Sequence, residues 1–172
     1  GFCRLTDASN LVNLLRVVKS PEELVYVQKA AELADEALDE AHRLVKNGCD
    51  EAELLAAMQG AVFRGGGDYP SNDFIIGSGD NALLCRYYSG RRKLSSKDQI
   101  TLEWAGAYRH YHAAMMRTIP VGLVTEQHWK MHEVCLEAME ACESALRPGE
   151  AIGEVFDAYA YSCDSTGMQS HR

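Results

Sequence analysis

The sequence predicts an α+β fold: two helices, an antiparallel sheet, then two more helices. Three observations carry this reading. Apolar residues recur at helical spacing over residues 20–63 and again over 125–165. Between them, from Ser71 to Val124, short β-rich runs alternate with turn residues. Helices and strands are also segregated along the chain, which favours α+β over an alternating parallel arrangement.

Residues 1–19 read as a connecting segment, in which Asp7-Ala8-Ser9-Asn10 can cap a turn of helix leading into Leu11, Leu14 and Leu15. Ser20-Pro21-Glu22-Glu23 is a stronger start. Ser20 caps, Pro21 suits the first helical position, and Glu23 completes a capping box. Alanines then dominate the apolar positions, at 30, 31, 34, 37 and 41, up to a stop at Asn47-Gly48. So small a face predicts close packing against a sheet or another helix. Asp50-Glu51-Ala52-Glu53 opens a second helix to about Phe63, which Gly65-Gly66-Gly67 ends. That glycine run lacks a following Lys-Ser/Thr and opens no helix, so it reads as a loop rather than a phosphate cradle.

Strands are predicted at Phe74–Ile76, Ala82–Cys85, Ile100–Leu102 and Met115–Val121, with turns at residues 77–81 and 95–98. A tight Ala107-Tyr108-Arg109-His110 connection joins the last two into a hairpin. Helix returns from Thr125-Glu126 to Leu146, stopped by Arg147-Pro148-Gly149, and again from Ala151 to Ser165. There is no internal repeat.

The 172 residues suffice for one domain with a sizeable core. A net charge of −8 with no basic run excludes nucleic acid and anionic membrane as expected partners. No apolar run approaches the roughly 20 residues that span a bilayer. The six cysteines form no CxxC pair, and several sit among apolar neighbours on helices. Reduced, buried thiols and a cytoplasmic location are expected.

Several motifs, in order, carry a family resemblance: Lys19-Ser20-Pro21-Glu22-Glu23, Ser78-Gly79 with Asn81-Ala82, Lys97-Asp98, Tyr111, Arg117-Thr118 and Arg147-Pro148-Gly149. Together they resemble the pita-bread superfamily of methionine aminopeptidase, Xaa-Pro dipeptidase and creatinase, over about residues 19–172. A narrower set is Gly66-Gly67-Asp68-Tyr69-Pro70 with Glu103, Ala105, Gly106, Tyr108, Tyr111 and His112. It is similar to the ectoine hydrolase branch, which like creatinase is thought to cleave C–N bonds without a metal. The resemblance implies that residues 20–172 are the first half of a pita-bread catalytic domain and residues 1–19 the connecting tail of an N-terminal domain. Helices on one face of the sheet and a homodimer are also implied.

Metal-dependent relatives place an aspartate at each end of the hairpin, where this chain has Glu103 and Ala114. Ala114 has no ligand atom, and one added methylene displaces the Glu103 carboxylate. No metal and no cofactor are therefore expected. Glu103 reads as the acid or base of the reaction, or else as a strand carboxylate paired with an Arg. Arg86 stands where relatives place a substrate-facing His. A permanent cation there can clamp a substrate carboxylate, or simply sit at the surface beside Tyr87 and Tyr88.

His112, Tyr111, Tyr108 and Arg117 are the expected substrate contacts, the two tyrosines alternatively bracing the hairpin. His110 and His112 lack a third ligand for a metal. His128 and His132, one turn apart, lack the Glu of a zinc-peptidase helix and read as a solvated face. The expected function is a metal-free hydrolase of a C–N bond in a small polar compound. Creatine itself is disfavoured because Met116 replaces creatinase's Glu. The alternatives are a metal-dependent Xaa-Pro dipeptidase or aminopeptidase, and a non-catalytic binding module.

Overall fold

The computed structural model describes residues 3, 6–83 and 91–170, which fall into two compact units, Gly1–Gly122 and Leu123–Arg172. The first unit runs α1 (Ser9–Val17), α2 (Pro21–Leu44), α3 (Glu51–Arg64), β1 (Ile75–Ser78), a 3-10 turn (Gly79–Leu83), β2 (Gln99–Tyr108) and β3 (Tyr111–Pro120). The second holds α4 (Glu126–Ala145) and α5 (Ile152–Ser165). No helix among the described residues is long and apolar enough to cross a membrane.

Helix α2 starts where the capping box places it. Ser20 Oγ accepts from the Glu23 N–H at 3.2 Å, and Glu23 accepts from the Ser20 N–H at 2.6 Å. Its alanine face is fully buried at Ala30, Ala34, Ala37 and Ala41. The close packing that this face predicts is found on β2. A Cβ added to Gly106 would lie 2.0 Å from the Ala30 carbonyl oxygen and 2.6 Å from the Ala34 nitrogen. The indole N–H of the buried Trp104 donates to the Ala34 carbonyl at 3.0 Å. A helix lies this close to a strand only where neither carries a side chain large enough to hold them apart.

The sheet is antiparallel, in the order β1-β2-β3. Leu102, Trp104 and Gly106 alternate toward the helices, with Ile76 of β1 and the half-buried Met115 and Ile119 of β3 in the same core. Thr101, Glu103 and Ala105 therefore face the other way. Leu54, Met58 and Val62 of α3 complete the core.

Residues 82–83 belong to the 3-10 turn and not to a strand, and residues 84–85 lie outside the described residues. The strands β2 and β3 are longer than expected. Ala107 and Tyr108 are still in register, leaving only Arg109-His110 as the turn. Both turn residues have positive φ, 51° and 66°, as a two-residue type I′ turn demands. Each costs roughly 1 kcal/mol or more relative to glycine.

A polar network that the sequence did not announce fastens the chain after the 3-10 turn. The fully buried Glu51 accepts from the Ser78 N–H at 2.9 Å and from its hydroxyl at 2.5 Å. Arg92 donates to Ser78 Oγ at 2.9 Å and grips both oxygens of the buried Asp98. That grip holds the Asp98 carboxyl below its ordinary range and raises Arg92. Residues 92–94 also pair with 48–51 through backbone hydrogen bonds.

The second unit has a small core of Val134, Ala138 and Cys163, backed by Tyr159 and Met168. Thr125 caps α4 as expected, and His128 takes the place usually held by Glu in the capping box. His132 lies edge-on to Trp129 on the same helix. Of the described cysteines, Cys49 and Cys163 are buried as expected, but Cys3 and Cys135 are exposed; all five are free thiols.

Gly106→Ala is expected to lower stability by about 2–3 kcal/mol through overpacking. Urea denaturation should show a lower midpoint at unchanged m-value. An unchanged midpoint would mean that α2 does not rest on Gly106.

Candidate functional site

The hairpin β2–β3 has two chemically different faces. Glu103 lies on the face away from α2 and α3, between Ile75 of β1 and Met116 of β3. Ala105 and Ala114 form the next rung, and Thr101 and Thr118 the rung on the other side, their hydroxyls 3.4 Å apart. Glu103 is half-buried and makes no hydrogen bond or ion pair among the described residues. Arg86, its expected companion, lies outside the described residues.

Tyr108 and Tyr111 pair with each other on the helix-facing side. Tyr26 of α2 packs against both rings, at centroid distances of 6.0 and 5.6 Å. The Tyr111 hydroxyl donates to Glu23 Oε1 at 2.7 Å. Both tyrosines thus brace the hairpin on α2. Arg117 pairs with Leu102 and so shares the helix-facing parity of Met115 and Ile119. Its guanidinium donates to the Met116 carbonyl at 2.8 Å. Strand geometry does not bring Arg117 together with Glu103.

His112 has the parity of Glu103 but sits at the hairpin's far end, where both ring nitrogens are engaged. Nε2 accepts from the Ser71 N–H at 3.0 Å, and Nδ1 lies 2.9 Å from the His110 carbonyl. The neutral Nδ1–H tautomer satisfies both. His112 therefore staples the loop at residues 66–71 onto the hairpin. Asp68 assists, its N–H donating to Ala107 O and its carboxylate accepting from the His110 N–H. A Cβ on Gly67 would meet Ala107 O at 2.9 Å, so the glycine run serves close approach.

Among the described residues, no group of three or more His, Cys, Asp or Glu side chains is placed to hold a metal ion. The Glu103 face offers one carboxylate, flanked by Ala105, Ala114 and Met116. A metal needs several converging donors, and among the described residues this face supplies only Glu103.

A profile of metallopeptidase family M24 matches residues 26–172. The chain belongs to this family. It is 29% identical over 146 residues to an Xaa-Pro dipeptidase of Pyrococcus furiosus, covering 85% of this chain and 42% of that protein. It is also 29% identical over 152 residues to an Xaa-Pro aminopeptidase of Escherichia coli, covering 88% of this chain and 34% of that one. The solved prolidase from Pyrococcus furiosus superposes with a TM-score of 0.88 at 27% identity, covering 93% of this chain and 48% of its own. The fold is thus the α+β pita-bread fold of prolidases, and the chain spans less than half the length of these relatives.

These likenesses overturn the expectation of a metal-free hydrolase of the creatinase and ectoine hydrolase kind. The relatives are Xaa-Pro peptidases, the alternative that the sequence left standing. The physical reason is plain in the hairpin. Of the residues that carried the narrower resemblance, Gly67, Asp68, Tyr108, Tyr111 and His112 staple a loop and brace a helix. Scaffolding of that kind carries no information about how a bond is cleaved.

Hydrogen bonds from the Ser20 N–H and the Tyr111 hydroxyl hold Glu23 below its ordinary value of 4.5. The unfolded chain therefore takes up the proton first as pH falls. The stabilisation is complete above that ordinary value and disappears as pH falls through the lowered one. Urea unfolding from about pH 6 to about pH 3 should give a shallower loss of stability for Glu23→Gln than for the wild type. Parallel curves would show that the carboxylate does not brace the hairpin.

Proposed function

We propose that the protein is a peptidase of the Xaa-Pro type, hydrolysing the amide bond of a short peptide ahead of a proline. The observation that carries this is the match to Xaa-Pro dipeptidases and an Xaa-Pro aminopeptidase across more than four-fifths of the chain. In that reaction a water adds across the C–N bond, its oxygen going to the carbonyl carbon and a proton to the departing nitrogen. Glu103, without a partner among the described residues, is suited to accept a proton from water or a hydrogen bond from the peptide. Arg86 would act as the carboxylate clamp. A cytoplasmic setting belongs to the same reading and is supported by the free thiols.

One observation favours a second reading. The lone carboxylate beside Ala114 also suits a surface that holds a peptide without cleaving it. One experiment separates the two. The full-length protein, with divalent cations added, is assayed on a panel of Xaa-Pro dipeptides and longer peptides. Proline-directed turnover is expected, with kcat falling roughly 10²-fold in Glu103→Gln while circular dichroism is unchanged. Calorimetric peptide binding without turnover would establish the binding module instead, and neither binding nor turnover would reject both.

We further propose a homodimer. The reading rests on the pairing that the family resemblance implies and on α1, which buries none of its residues and exposes Leu11, Leu14, Leu15 and Val17 by 63–74%. Light scattering of the full-length protein should give twice the monomer mass, and a monomer alone at micromolar concentration would refute it.

A further inference from the structure

A cleft of about 580 Å³ opens where the end of α1, the start of α2 and the hairpin turn meet. Its charge is opposite to that of the chain. The protein has 25 acidic residues against 17 Lys and Arg. The cleft nevertheless gathers Arg16, Lys19 and Arg109, with the imidazole of His110, around one carboxylate, Glu23. That carboxylate is already committed to the Ser20 N–H and the Tyr111 hydroxyl. Among the described residues Arg16, Lys19 and Arg109 form no ion pair with an acid, though the charge of Lys19 helps to lower the pKa of Glu23. Lys19 donates to the Arg16 carbonyl, and the Arg109 guanidinium lies 6.0 Å from the centroid of the Tyr108 ring.

A second observation is independent of charge. The turn places Arg109 and His110 at positive φ, where Asn-Gly would sit without strain. The chain instead keeps two basic side chains at the two most costly positions of the hairpin, and both line the cleft. Local strain of this kind points to a task at the site.

We propose that this cleft binds a small multivalent oxyanion, bearing phosphate or carboxylate groups. Two guanidinium groups supply fork-shaped donors that match such oxygens, and Lys19 adds a point charge. The site lies by the turn at the tip of the hairpin, where His112 also lines it, and Glu103 is not part of its wall. An occupant would tie α1, α2 and the turn together, which raises stability in proportion to its binding.

The test titrates the full-length protein with inorganic phosphate and, separately, with citrate at low ionic strength. Saturable binding and a rise in Tm are expected from at least one probe, weakening as salt is added. The choice between probes tells phosphate from carboxylate recognition. The double variant Arg109→Asn, His110→Gly should fold with a raised Tm in the absence of ligand, yet bind the anion at least about tenfold more weakly. Arg16→Gln should weaken binding without the change in the turn. Lys130→Gln, in the other unit, should leave it unchanged. No saturation by either probe up to about 10 mM would overturn the proposal. So would binding that survives both cleft variants, or binding that falls equally in Lys130→Gln.

Discussion

Helix α2 lies directly on strand β2 because four buried alanines and Gly106 leave nothing between the two backbones. The rest of the first unit follows from that contact. It commits the even-numbered residues Leu102, Trp104 and Gly106 to the helix side, so Glu103 and Ala105 must face away. The Trp104 indole, bonded to a carbonyl in the middle of α2, fixes the register along the helix axis. With that register set, the first turn of α2 arrives beside the hairpin tip, where Tyr26 and Glu23 meet Tyr108 and Tyr111.

Glu23 then serves two elements at once. One oxygen closes the capping box and the other receives the Tyr111 hydroxyl. The end of a helix and the end of a hairpin are thereby held by a single carboxylate. On the other side of the tip, His112 and Asp68 hold the loop of residues 66–71. The strained Arg109-His110 turn persists because its neighbours on both sides are fixed, which is the condition under which strain survives in a native structure.

The helices were legible because their starts carry their own chemistry. Ser20, Asp50 and Thr125 all cap where the sequence places them. The alanine face announced a close approach, though not its partner. The 3-10 turn at Gly79–Leu83 was not legible, since Ala82-Leu83 has the composition of a strand and only the tertiary setting decides. The Glu51–Ser78–Arg92–Asp98 network joins residues that are up to 47 positions apart; Glu51, Ser78 and Asp98 looked like ordinary helix-start or turn residues, and Arg92 carried no signal. For the candidate site, the hairpin alone singled out Glu103, whose outward parity follows from the register of β2. The side chain of Arg117 could have been excluded from that face by counting, because Met115, Arg117 and Ile119 share one parity.

A strand covered on one face only separates two kinds of information. Residues of the helix-facing parity specify packing, and a change there disturbs the core. Residues of the other parity can change while the fold is kept. The family resemblance rests on helix starts and turns together with Tyr111 and Arg117 of the first kind, which is why superfamily and fold were correctly read. The branch within the family depends on the second kind, and there the chain has Glu103, Ala114 and Met116. A carboxylate lengthened by one methylene and a missing diagonal partner alter what the face can bind without altering what supports it. Fold and donor set can therefore vary independently in one hairpin, because they are written on opposite sides of it.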